Sequence, residues 1–116
     1  MNVMKIRAGQ CMTMSFDSKA YMTVGFQAEI PDEVKIILSQ LIRKVASKDN
    51  KDIDYLQVFT LKKTYLGKTS FQKIIHTQEG PPLSESICFP FKKAVDQKVF
   101  CIDSEDYYTF LLADEY

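Results

Sequence analysis

Residues 31–47, PDEVKIILSQLIRKVAS, decide the fold class. Val34, Ile37, Leu38, Leu41, Ile42 and Val45 recur at intervals of three, four and seven, the apolar stripe of an amphipathic α-helix. Pro31 suits the first turn, where a missing N–H costs nothing. Asp32 and Glu33 stand near the positive end of the helix dipole, and Arg43, Lys44 and Lys48 near the negative end. Ile30 occupies the staple position before the helix. Burying six aliphatic side chains is worth on the order of 10 kcal/mol before entropy, at ~1.5–3 kcal/mol each. A stripe of that size requires a sheet or a second helix to cover it.

The flanking sequence supplies strands. Residues 20–26 place Met22, Val24 and Phe26 opposite Tyr21, Thr23 and Gly25, the alternation of a half-buried strand. After the polar linker 47–54, five segments read as strands: 54–62, 71–79, 86–91, 97–103 and 107–113. A polar turn containing Gly67, residues 63–70, joins the first two. Gly80-Pro81-Pro82 stops the second, because prolines cannot continue a ladder, and Pro90 marks the third as an edge or a strand end. The acidic turn Asp103-Ser104-Glu105-Asp106 joins the last two. Strands following one helix at roughly ten-residue spacing predict hairpins and not βαβ units. The expected architecture is a single α+β domain over residues 14–116, with one amphipathic helix packed on an antiparallel sheet of five or six strands. Val3, Met4 and Ile6 suit a short strand, but residues 10–19 are irregular and Met14 is itself a candidate translation start. Residues 1–13 are therefore expected to be a loosely attached N-terminal extension.

Composition narrows the function classes. The 116 residues are 46% hydrophobic and 26% charged, an ordinary balance for one globular domain. No apolar run of about 20 residues exists, and no apolar segment follows Lys5 and Arg7 in the manner of a secretion signal. A cytoplasmic protein with no membrane partner is expected. Cys11, Cys88 and Cys101 lack CxxC spacing, which favours buried, reduced thiols over a disulfide framework or a zinc ribbon. Cys88 and Cys101 fall in successive strands and are expected to be neighbours. Net charge is zero but uneven: nine Lys/Arg against three Asp/Glu over residues 35–73, and three against eight over residues 74–116. Such an asymmetry steers an acidic partner to one face, or docks two copies basic to acidic.

The chemistry-bearing residues crowd into 71–82, FQKIIHTQEGPP. On a strand Gln72, Ile74, His76 and Gln78 share one face, and Phe71, Lys73, Ile75, Thr77 and Glu79 the other. His76 is the only histidine. It does not share a face with Glu79, so the pair does not chelate one ion in regular strand geometry. No Walker A loop, GxGxxG, HExxH or GxSxG occurs, and neither a catalytic residue, a cofactor nor a metal is expected. Two roles remain for Gln72, His76 and Gln78: an internal hydrogen-bond network, or a recognition strip working with Glu79 and the acidic end Asp114, Glu115 and Tyr116. The segment 62–73, KKTYLGKTSFQK, offers a different surface. Lys62, Lys63, Lys68 and Lys73 interleave with Tyr65, the composition of a single-stranded nucleic-acid platform, though it lacks arginine and any RNP-type motif. A non-enzymatic protein-interaction module, self-associating as a homodimer, is the first expectation. A nucleic-acid accessory protein using the basic hairpin is the second.

Three blocks also carry a resemblance: DYLQVF at 54–59, KIIHTQE at 73–79 with Pro81, and IDSEDYYTFLLADEY at 102–116. With Glu29-Ile30-Pro31 at the helix entry, residues 14–116 resemble a family of small uncharacterised proteins of Gram-positive bacteria and their mobile elements, classed as a domain of unknown function. Gly80 replaces an apolar residue of that pattern, Phe110 replaces a methionine, and residues 1–13 have no counterpart in it. The resemblance implies no activity, cofactor or substrate. It implies a bacterial cytoplasmic setting and singles out His76, Gln78, Glu79 and the 114–116 tail.

Overall fold

The computed structural model describes residues 3–6, 19–47, 54–80, 82–104 and 107–116. The readings placed on residues 7–18, 48–53, Pro81 and 105–106 lie outside the described residues. Among the described residues seven strands form one sheet: β1 (Val3–Ile6), β2 (Lys19–Thr23), β3 (Leu56–Leu66), β4 (Thr69–Gln78), β5 (Leu83–Pro90), β6 (Gln97–Asp103) and β7 (Tyr107–Leu112). Their order is β1-β2-β7-β6-β3-β4-β5. Two helices, α1 (Val24–Glu29) and α2 (Asp32–Ser47), separate β2 from β3, and a 3-10 turn, Ala113–Glu115, follows β7. Every neighbouring pair is antiparallel except β2 with β7, which is parallel. The class is α+β, as expected. Strands β2 to β7 are the six that the sequence indicated, and β1 extends their edge.

One face of the sheet, here the inner face, meets the helices. Val34, Leu38 and Ile42 form the buried line of α2, with Ile37 and Leu41 packed on its flank. Below them lie Met22, Phe59, Leu61, Ile74, Val99, Cys101, Tyr108, Phe110 and Leu112. These are the alternate residues of their strands, so period 2 in the sheet meets period 3.6 in the helix. The helix also buries two polar residues outside its apolar stripe. Lys35 lays its stem inward while Nζ donates to the Gln27 carbonyl and Asp32 Oδ1, both at 3.0 Å. Ser39 Oγ donates to the Ile36 carbonyl.

Three local readings change. The strand expected over 20–26 ends at Thr23, because Thr23 Oγ1 accepts the Phe26 N–H and starts α1 instead. Phe26 still faces inward, stacked 5.2 Å from Phe110. The turn expected over 63–70 shrinks to Gly67 and Lys68, where Gly67 supplies φ 64°. Finally, β6 inserts beside β3, so β3 and β4 lie between it and β5. Cys88 on β5 and Cys101 on β6 are therefore not neighbours, and of the two only Cys101 is buried as expected, because the Cys88 side chain points out from the edge strand.

Candidate functional site

Gln72, Ile74, His76 and Gln78 all point inward from β4 and all are buried. Gln78 Oε1 accepts from Gln57 Nε2 at 2.8 Å and from the Asp54 N–H at 3.4 Å. Gln57 Nε2 also donates to the Asp54 carbonyl at 2.8 Å. Two carbonyl acceptors thereby fix the orientation of the Gln57 amide, and its Oε1 is left to face His76 Nε2 at 2.7 Å. Because Oε1 only accepts, Nε2 of His76 must carry the proton. Burial pushes the His76 pKa below its ordinary value, Glu85 opposes that shift and Lys44 adds to it. The imidazole is neutral near pH 7, protonated on Nε2, with a lone pair on Nδ1. Its ring stacks on Phe59 with centroids 4.5 Å apart. Asp54 anchors the other end: its carboxylate accepts the Leu56 and Gly80 N–H groups, each at 3.1 Å, and these bonds hold its pKa below the usual carboxylate value.

His76 forms part of the wall of a groove between α2 and the β4–β5 edge. Leu41, Ile74, Ile87 and Ser86 line it, Lys44 and Glu85 stand 3.8 Å apart beside it, and its volume is about 380 Å³. Glu85 pairs with His76 in the sheet register. Among the described residues no group hydrogen-bonds Nδ1, yet none of their fully buried side-chain nitrogens or oxygens lacks a partner. Nδ1 therefore opens onto the groove.

Gln72 belongs to a separate network. Its Nε2 donates to the carbonyls of Lys62, Lys73 and Val95, and its Oε1 accepts the Val95 N–H at 2.8 Å. It pins the β5–β6 connection to the β3–β4 hairpin. Glu79 is exposed in the turn after β4. The acidic end does not meet His76, because β6 and β3 separate β7 from β4. Glu115 turns into the fold: Oε1 accepts from Thr23 Oγ1 and the Leu112 N–H, and Oε2 from the Gly25 N–H. Burial alone would raise its pKa, but the bonds from Thr23 and from the N–H groups of Leu112, Gly25 and Phe26 outweigh it and lower it. Asp114 is exposed, and Tyr116 lies edge-on to Phe100 at 5.6 Å. The anion beside His76 is Glu85, which the sequence reading passed over along with Gln57. Gln57 had a signal: it alternates with Phe59 and Leu61 at a position where an apolar residue belongs.

The opposite, outer face carries Leu56, Val58, Ile75, Phe100 and Ile102, all half-buried, with Tyr116 over Phe100. Beside them on β7, Leu111 and Thr109 share this face and are buried. Lys62 of β3 and Lys73 of β4 are register partners at one end of this face, and Lys98 of β6, opposite Thr60, lies diagonally beside them. Asp54 and Glu79 stand at the other end, about 20 Å away for six residues of strand. Of the remaining hairpin residues, Lys63 Nζ sits 5.4 Å above the exposed Tyr65 ring. Lys68 joins Lys92, Lys93, Ser70 and Phe91 around a crevice of about 550 Å³. No set of three or more metal-ligating side chains occurs among the described residues, and no helix there is long and apolar enough to cross a membrane.

No curated protein matches this chain. A solved structure, the crystal structure of the protein of unknown function from Enterococcus faecalis, superposes with a TM-score of 0.65 at 21% sequence identity, covering 89% of this chain and 93% of that one. That likeness shows the fold. The model of a family described as "Staphylococcal protein of unknown function (DUF960)" matches residues 19–115, and the chain belongs to that family.

Proposed function

We propose that this chain is a non-enzymatic interaction module that self-associates through the outer face of its sheet. The observation behind this reading is the polarity of that face: an apolar centre of Val58, Ile75, Phe100 and Ile102 between a lysine end and a carboxylate end. A two-fold axis running across the strands lays the lysine end of one copy on the carboxylate end of the other. The apolar centres then meet as stacked sheets about 10 Å apart. Sedimentation equilibrium tests it. The expected result is a dimer that Lys62→Glu with Lys73→Glu weakens, that Glu79→Lys weakens, and that mixing the two variants restores. A chain that stays monomeric at millimolar concentration refutes self-association.

The crevice bounded by Lys68, Lys92 and Lys93 favours a second reading, an accessory protein that binds single-stranded nucleic acid. Affinity for an oligonucleotide should then fall steeply with salt and drop after Lys62, Lys63 and Lys68 become alanine. Binding that is undetectable at low salt removes this reading.

A further inference from the structure

We infer that the groove between α2 and the β4–β5 edge is a binding site for a neutral hydrogen-bond donor carried on an apolar body, the chemistry of a phenol, with His76 Nδ1 as the acceptor. This goes beyond self-association and uses the opposite face of the sheet.

Three observations select that class. First, His76 is 2% exposed and its Nε2 is committed to Gln57 Oε1, so the one atom it offers the groove is an acceptor. The Gln57–Gln78–Asp54 bonds lock that tautomer from behind, leaving Nδ1 no local means of becoming a donor. Second, the apolar part of the wall is Leu41, Ile74 and Ile87, with Ser86 beside them, so a ligand reaching Nδ1 passes apolar surface and carries a polar atom at its tip. Phenols combine an apolar ring with one such donor. Third, Lys44 and Glu85 face His76 from α2 and β5 and lie 3.8 Å apart. Their opposite signs offset one another at the mouth, which favours a neutral ligand over a cation or an anion. A tyrosine side chain of a partner segment and a free phenolic compound share this chemistry.

The probe is p-cresol, the tyrosine side chain without its backbone, with toluene as the matched body lacking the hydroxyl. Titrations of the full chain are followed through the two imidazole ¹⁵N resonances of His76. The expected result is that p-cresol moves the Nδ1 resonance while Nε2 stays protonated, and that toluene binds about 5-fold more weakly, the value of one hydrogen bond. Ile87→Trp fills the groove from a position 39% exposed, so the fold tolerates it, and should abolish the response. Acidification that protonates Nδ1 should reverse the bond, with the imidazolium donating to the phenol oxygen, so the ¹⁵N response to p-cresol should change character at that pH. Equal affinity for p-cresol and toluene, a proton found on Nδ1 at neutral pH, or binding unaffected by Ile87→Trp would each overturn the assignment. A p-cresol response transferred to a tyrosine-containing peptide identifies a protein source, and one confined to the small phenol identifies a free ligand.

Discussion

Glu115 ties the end of the described chain to the first turn of α1, and removing it should cost more than its half-exposed position suggests. Its carboxylate accepts from the Thr23 hydroxyl and from the N–H groups of Gly25 and Leu112. Thr23 is fully buried, so Glu115→Ala leaves a hydroxyl donor that water reaches poorly, at about 1–3 kcal/mol. The two N–H groups are nearer the surface and regain water, and losing a carboxylate at the start of α1 adds about 0.3–1 kcal/mol. The sum is about 1.3–4 kcal/mol of a total of only about 5–15. In thermal unfolding followed by circular dichroism that is a Tm drop of about 5–16 °C. Glu115→Gln keeps an acceptor oxygen and should lose about half as much. Gly25 supplies an independent check, because a Cβ there would lie 2.6 Å from the Glu115 carboxyl carbon. Gly25→Ala should therefore displace the same carboxylate, and the double variant Gly25→Ala/Glu115→Ala should cost less than the two singles added together. A Tm for Glu115→Ala within about 2 °C of wild type, or full additivity of the pair, would refute this reasoning.

Leu38→Asp puts a charge at the centre of the α2 stripe, where the side chain is fully buried, and should unfold the chain or cost several kcal/mol in urea titration. A wild-type midpoint would mean the stripe is not core. The lowered His76 pKa makes the unfolded chain the stronger proton binder just below pH 6.5, so stability should decline as pH falls through that value and then level off once the folded imidazole is protonated. His76→Gln should lack that step while retaining the later acid loss, below about pH 4, from the lowered carboxyl pKa values of Asp54 and Glu115. Iodoacetamide should modify Cys88 in the native state and spare Cys101, whose thiol burial pushes far above its usual pKa. Peptide mapping by mass spectrometry reads both, and native labelling of Cys101 would contradict its burial.

The elements with strong period were legible in the sequence. The α2 stripe and the alternation in 97–103 and 107–113 needed only local pattern, and β4 announced its two faces through Gln72, His76 and Gln78. Sheet order was not legible, because adjacency of β6 to β3 depends on pairing that no local residue encodes; the Cys88–Cys101 expectation failed for that reason. The start of α1 was hidden because Thr23 and Gly25 alternate like a strand, and the carboxylate that supports the helix comes from Glu115. Likewise the acid beside His76 lies across the ladder on β5, not in the 114–116 tail. Polar residues on one strand face pointed to the network, while its partners Gln57 and Asp54 became visible only once β3 and β4 were paired.

The parallel β2–β7 pair also has a consequence for the order of folding. Thr23 and Glu115, joined by a hydrogen bond, are 92 residues apart in sequence. A chain emerging from the ribosome can zip β3 onto β4 and β4 onto β5 at once, since each closes a short loop. Meanwhile β2 has only β1 beside it until β7 has been made, and Phe26 lacks the Phe110 ring that it stacks on. The slow step should therefore be closure of the β2–β7 seam, with β7 and the helices docking late onto a hairpin layer formed early.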